Sequence, residues 1–162
     1  MSWLDFIFSN KEKEAESPAK ALLKKLDSVL IVQTITEIEN QTTAELRVHI
    51  EDTTHGLEVY NRAKQCFEQL GMTQTAERNG VLIYIAAADH KLAIIGDKGI
   101  YEKISSDYWT HIKDEMIRYF KAGQYTEGIV QAIKDIGKVL HKYFPNAMGS
   151  SRNELSNEIS IG

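Results

Sequence analysis

The chain has few of the residues that mark most chemical specialisations. A single cysteine, Cys66, among 162 residues excludes an intrachain disulfide and any site built from several thiolates. No run of about 18 apolar residues occurs, so no segment reads as a membrane-spanning helix. Positive charge is not in surplus: 19 Lys and Arg are interleaved with 23 Asp and Glu, giving a net charge of −4. Nucleic acid is a poor partner for such a chain, because phosphate binding rests on clustered cations. No nucleophile triad, phosphate loop or zinc-ligand spacing stands out. Trp3-Leu4-Asp5-Phe6-Ile7-Phe8 is apolar but broken by Asp5, with neither a basic leader nor a cleavage site, so it does not read as a signal peptide. It reads as an arm that docks on the domain or on a partner, or that touches a membrane surface. A cytoplasmic, monomeric protein with a protein partner is the expectation, and no cofactor other than a metal ion.

What the chain does have is hydrophobic pattern. The length suits one domain of about 110–130 residues with ragged ends. The boundaries read as an arm over 1–17, a single domain over 18–145 and a tail over 146–162 of low apolar content, expected to be disordered. Ser17-Pro18 opens a helix, since proline is tolerated in the first turn. Leu22, Leu23, Leu26 and Leu30, then Ile31, Ile35 and Ile38, recur at helical spacing. Asp27-Ser28 could cap a second helix, so residues 19–40 form one kinked helix or two short ones.

Residues 44–51 alternate, with Leu46, Val48 and Ile50 on one face and Glu45, Arg47, His49 and Glu51 on the other, as in a half-buried strand. Leu57, Tyr60, Ala63, Phe67 and Leu70 give a helix that Gly71 ends. Cys66 falls within it as a small core or boundary residue. A reactive thiolate would need a cationic, accessible setting that the sequence does not supply. Val81–Ala87 and Lys91–Gly96 are near-continuous apolar runs, strands covered on both faces. Their short link forces a hairpin, whereas the helix between 51 and 80 implies a parallel crossover. Two more amphipathic helices follow, one through Ile104, Tyr108, Ile112, Met116 and Phe120, the other through Ile129, Ile133, Ile136 and Leu140. The layout is an α/β fold, a three-layer α/β/α sandwich on a small mixed sheet.

Strand directions then gather acids at both ends of the sheet. Glu45, Asn79, Asp97, Glu102 and Asp107 collect at one end, and Glu51, Asp52, His55, Asp89 and His90 at the other. Carboxylates, amides and turn carbonyls suit hard cations such as Ca²⁺ or Mg²⁺, and ligands favour the carboxyl ends of parallel strands. The choice between the two ends stays open. Each residue also has a plain structural reading. Asp89 suits a turn, Asp107 complements a helix dipole, Arg78 can pair with Glu45, and Gly96 and Gly99 serve backbone geometry. His49, Glu51, Asp52 and His55 resemble a transition-metal set, but only residues of like parity share a strand face and no close His pair recurs elsewhere. His111 and His141 read as lone surface or boundary residues.

The ordered segments Thr42-Thr43-Ala44-Glu45-Leu46-Arg47-Val48, Arg78-Asn79-Gly80-Val81-Leu82-Ile83, Asp89-His90-Lys91, Gly96-Asp97-Lys98-Gly99-Ile100 and Phe120–Ile129 resemble the TPM-domain family. That group includes the thylakoid-lumen protein implicated in photosystem II repair and many bacterial membrane-associated proteins. The resemblance spans about residues 28–143. It implies an α/β/α sandwich, divalent-cation binding near acidic positions and, for some members, acid phosphatase activity. Glu45, Asn79, Asp89 and Asp107 match acidic or amide positions of the pattern, whereas Asp97 stands where many relatives carry another residue. Two functions follow: a cation-binding interaction module that assists assembly or quality control of partner proteins, or a metal-assisted phosphomonoesterase. The second would use Asp89 or Asp97 with Lys91, Lys98 or Arg78.

Overall fold

The computed structural model describes residues 16–146 and 155–162. The apolar segment Trp3–Phe8 lies outside the described residues. Ser17 caps the first helix, α1 (Pro18–Lys25), by accepting the Lys20 N–H, with Pro18 in the first turn. Asp27 caps the second, α2 (Ser28–Glu39), through the Leu30 N–H at 3.0 Å. Two capped helices, rather than one kinked helix, therefore occupy this segment. β1 (Glu45–Glu51) leads through α3 (Val59–Gln69) and a short 3-10 turn (Met72–Gln74) to β2 (Gly80–Ala86). Gly71 ends α3 at φ +72°, the left-handed conformation that favours glycine. The hairpin partner β3 (Lys91–Gly96) is followed by the one-turn α4 (Lys98–Tyr101), then α5 (Ser106–Lys121) and α6 (Tyr125–Tyr143).

The sheet order is β3-β2-β1-β4. β1 and β2 run parallel, with Glu45 opposite Gly80 and Glu51 opposite Ala86. β2 and β3 are antiparallel, with Val81 opposite Gly96 and Ala86 opposite Lys91. The crossover and the hairpin read from the apolar runs are both present.

The fourth strand differs from the sequence reading. Ser160 and Ile161, assigned there to a disordered tail, form β4 and pair in parallel with His49 and Ile50. The Gly162 N–H donates to the Ile50 carbonyl at 2.9 Å. Two apolar residues in a polar tail give no periodicity to detect. The edge of β1 supplies the open carbonyls and N–H groups that hold them.

Side-chain parity divides the core in two. Leu46, Val48, Ile50, Val81, Ile83, Ile85, Leu92 and Ile94 point to one face, which α1, α2, α5 and α6 cover. Leu82, Tyr84, Ala86, Ala93 and Ile95 point to the other, against Ala63, Cys66 and Phe67 of α3, Met72 and Leu155. β2 is buried along its whole length, because it is central and covered on both faces. β1 was expected to be half exposed, yet its polar face is also largely enclosed: Glu45, His49 and Glu51 are all buried. α3 and β4 close that side. Gly99 allows the turn before β2 to sit tightly against α4; a Cβ there would lie 2.5 Å from the Glu77 carbonyl and 2.7 Å from that of Arg78. At Gly96, too, the need is close approach, to Ile100.

Candidate metal centre

The odd-numbered residues of β1 face α3, and Arg62 and Cys66, one helical turn apart, face them in return. Glu51 is the hub. It is 1% exposed, and Arg62 Nε donates to both of its carboxylate oxygens at 3.1 Å. The Cys66 thiol donates to Oε2 at 3.1 Å. His55 Nε2 lies 2.9 Å from Oε1, and His49 Nε2 lies 3.7 Å from Oε2. The second histidine nitrogen of His49, Nδ1, is 2.9 Å from the Ser160 hydroxyl, so β4 fixes the ring with Nε2 turned toward Glu51. Tyr84 stacks beside His49 at 6.2 Å between ring centroids.

These contacts set the protonation states. Burial pushes the Glu51 carboxyl up, but hydrogen bonds from Cys66 and Arg62 and the Arg62 charge outweigh it and hold the group below its ordinary value. Burial lowers His49 and keeps the imidazole neutral, the form that ligates metals. Burial and the neighbouring Glu51 push the Cys66 thiol up to about 12, so it is a protonated donor rather than a nucleophile. His49, Glu51 and Cys66 together offer nitrogen, oxygen and sulfur atoms all within 4.8 Å of one another.

The acids singled out in the sequence are placed differently. At the carboxyl end of β1 and β2, Asp52 Oδ1 accepts the Ala19 N–H at 2.8 Å and caps the start of α1. Asp89 Oδ2 accepts the Thr54 N–H at 2.8 Å and ties the hairpin to the turn after β1. Both carboxylates thus serve backbone. His55 and His90 adopt positive φ, +54° and +52°, in the two turns.

At the opposite end, Asp97 caps α4 through the Lys98 N–H and forms a two-pronged pair with Arg78 at 2.7 and 2.9 Å. Arg78 therefore pairs with Asp97 and not with Glu45, because its left-handed backbone (φ +49°) and the tight Gly99 contact bring it to the start of α4. Asn79 is buried and donates from Nδ2 to Thr43 and Glu77, and the Thr43 hydroxyl in turn donates to Glu77. Glu45 shares a hydrogen bond with Glu39 of α2, whose carboxylate also accepts the Leu46 N–H at 2.9 Å. Burial and the Glu45 charge push Glu39 up to about 9, so this pair holds a proton at neutral pH. Asp107 is exposed in the first turn of α5. Glu45, Asn79 and Asp97 occupy one end of the sheet, yet each is engaged by its own local partners.

Cys66 and Arg62 were not assigned to a site from sequence, although their spacing of four places them on one helix face. His49 and Glu51 share parity, and the structure joins them; Asp52 points to the other side of the strand. Among the described residues no helix is long and apolar enough to cross a membrane.

The same architecture recurs in solved structures. The BA42 protein from the psychrophilic bacterium Bizionia argentinensis is 39% identical, with a TM-score of 0.77 over 83% of this chain and 92% of that one. An N-terminal domain from P. gingivalis shares the fold at 18% identity and a TM-score of 0.57, covering 69% of this chain and 72% of that one. The N-terminal domain of the cg2496 protein from Corynebacterium glutamicum does so at 10% identity and a TM-score of 0.55, covering 69% and 70%. No curated protein matches the chain. The TPM domain model matches residues 19–139, from the first turn of α1 to the last turns of α6. With that span matched, most of its length, the chain belongs to the TPM domain family.

Proposed function

We propose that this TPM domain is a metal-binding module whose site is the Glu51 centre, and that it takes a borderline transition cation of the Zn²⁺ class in preference to Ca²⁺ or Mg²⁺. The observation that carries the reading is the convergence of three different donor atoms in one buried place. Tetrahedral Zn²⁺ holds ligands at about 2.0–2.3 Å, which sets them roughly 3.3–3.8 Å apart. Glu51 Oε2 already lies 3.1 Å from Cys66 Sγ and 3.7 Å from His49 Nε2, so small side-chain shifts suffice. Nitrogen and sulfur donors favour Zn²⁺ over hard cations, which need several oxygens. His55 stands on the exposed side of Glu51, outside that set of three, at the entry to the site. Ser160 orients the His49 ring from outside, as second-layer partners do at metal sites.

In this reading Arg62 is the counter-charge of Glu51 in the metal-free protein. It has a second partner, Gln65, to which Nη1 donates at 2.9 Å. Binding displaces the thiol proton of Cys66, so affinity rises with pH. The module reading is favoured over the phosphatase reading because the thiol is a hydrogen-bond donor to Glu51 and Arg78 is committed to Asp97.

Titration calorimetry with Zn²⁺, Ca²⁺ and Mg²⁺ tests the assignment. One equivalent of Zn²⁺ is expected, weakened at least tenfold by Cys66→Ser and by His49→Gln, with little response to Ca²⁺ or Mg²⁺. Co²⁺ should give the near-ultraviolet absorption of a cobalt–thiolate bond. Zn²⁺ uptake indifferent to Cys66→Ser would sink the assignment. A chromogenic phosphate ester, run with the Zn²⁺-loaded protein and its Glu51→Gln variant, tests the hydrolase alternative.

A further inference from the structure

On the opposite face of the sheet, beyond the carboxyl ends of the parallel pair, a cleft of about 490 Å³ lies between α1, the β2–β3 hairpin and the α5–α6 corner. Its walls are apolar: Leu22 from α1, Ile85 and Leu92 from the sheet, and Ile117, Phe120 and Tyr125 from the corner. Lys91 also borders it, but strand parity turns its side chain with Ala86 and Ala93 toward α3. Among the described residues Lys25, His90 and Lys121 are the charged or ionisable side chains at its mouth besides Tyr125, and no acid lines it. In a chain of net charge −4 that is a local reversal of sign. Among the described residues neither Lys25 nor Lys121 forms an ion pair. Lys25 lies over the Tyr125 ring at 5.8 Å, and Phe120 packs edge-on to that ring at 5.2 Å.

The geometry points to a binding site for a long-chain carboxylate, a fatty-acid-like amphiphile whose alkyl chain fills the cleft and whose single anionic head meets the lysine and histidine mouth. Three independent observations converge on it. The volume lies in the range of small-molecule sites, and at roughly 30 Å³ per water-sized group it holds about sixteen such groups, the scale of one acyl chain. Ligands collect outside the carboxyl ends of parallel strands, where Ile85, Ala86 and Ala87 place this cleft. The charge at its mouth complements an anion.

A phosphorylated head fits less well. The mouth carries separate ammonium and imidazole groups, with no arginine fork. The start of α1 is near, but its Ala19 and Lys20 N–H groups are already taken by Asp52 and Ser17. The site shares no residue with the Glu51 centre, so the two assignments stand or fall separately.

The test uses the full chain and dodecanoate below its micellar concentration, followed by calorimetry and by amide NMR shifts. Saturable one-to-one binding is expected, with shifts concentrated at residues 18–25, 85–92 and 117–125. The methyl ester of the same chain length should bind at least tenfold more weakly. Reversing two exposed charges, Lys25→Glu with Lys121→Glu, should cost at least tenfold while the circular dichroism stays that of the parent, and Leu22→Trp should block the cleft. Equal binding of acid and ester, tighter binding of dodecyl phosphate, or shifts elsewhere would overturn the proposal. So would the absence of saturable binding, which would leave the residues before Glu16 or a second copy of the chain as the occupant.

Discussion

The two faces of the sheet use the same three main strands and differ in what covers them. One face lies under four helices, and every strand residue turned toward it is aliphatic. The other lies under a single eleven-residue helix, a 3-10 turn and the segment around Leu155, and β1 sends Glu45, Arg47, His49 and Glu51 to it. Dense helical cover makes a dry core where only volume and shape matter. Thin cover leaves room for polar side chains, but once enclosed they must satisfy one another. Glu51, with Arg62, Cys66, His49 and His55 around it, is the outcome. The first face thus carries most of the aliphatic burial, and the second carries the enclosed polar network.

Four experiments break or sharpen this contrast. Ile83→Ala on the helical face should cost about 3–4 kcal/mol, because the cavity cannot collapse beneath four packed helices; urea denaturation measures it, and Zn²⁺ stoichiometry should survive. On the other face Glu51→Ala should cost about 3 kcal/mol, since it strands the Arg62 guanidinium. The double variant Glu51→Leu with Arg62→Leu should recover most of that loss yet bind no metal. If the double variant is as unstable as the single one, the polar network is there for stability after all.

The third concerns the proton held between Glu39 and Glu45. Glu39 stands at about 9 in the folded protein against an ordinary value of 4.5, so the folded state carries a proton the unfolded chain has lost. Its contribution is whole below pH 4.5 and declines as pH rises toward 9. Glu39→Gln, which needs no proton, should therefore gain about 1–2 kcal/mol over the parent at pH 7, after allowance for solvent screening at a partly exposed site. The difference should vanish near pH 4 in denaturation curves. The smallest effect belongs to His49, which is lowered from 6.5 by burial. Here the unfolded chain takes up the proton first, so stability falls as pH drops below 6.5, and His49→Gln should flatten that part of the profile.

How much of this was legible in the sequence follows from the range of the forces involved. Helix caps at Ser17 and Asp27, the hairpin and the parallel crossover depend on near neighbours and on apolar periodicity, and all could be read directly. Which polar side chains would meet could not. Parity put His49 and Glu51 on one strand face, but nothing local said that Arg62 and Cys66, on a helix with its own apolar stripe, would come to meet them. The acids at turns attracted attention because turns expose them. Asp52 and Asp89 cap backbone from those positions, and Asp97 holds Arg78. β4 was illegible for a related reason: its two residues take their structure from the edge of β1, more than a hundred positions away.

That distant pairing has a kinetic consequence. Two ladder residues joined across so long a stretch of chain are held by few hydrogen bonds, so β1's outer amides should exchange with heavy water sooner than those of β2. Each such opening also frees the imidazole from Ser160 without disturbing the aliphatic core. Solutes can then reach His49 and Glu51, which Gly162 also covers, at the rate of local fraying, far faster than the whole molecule unravels.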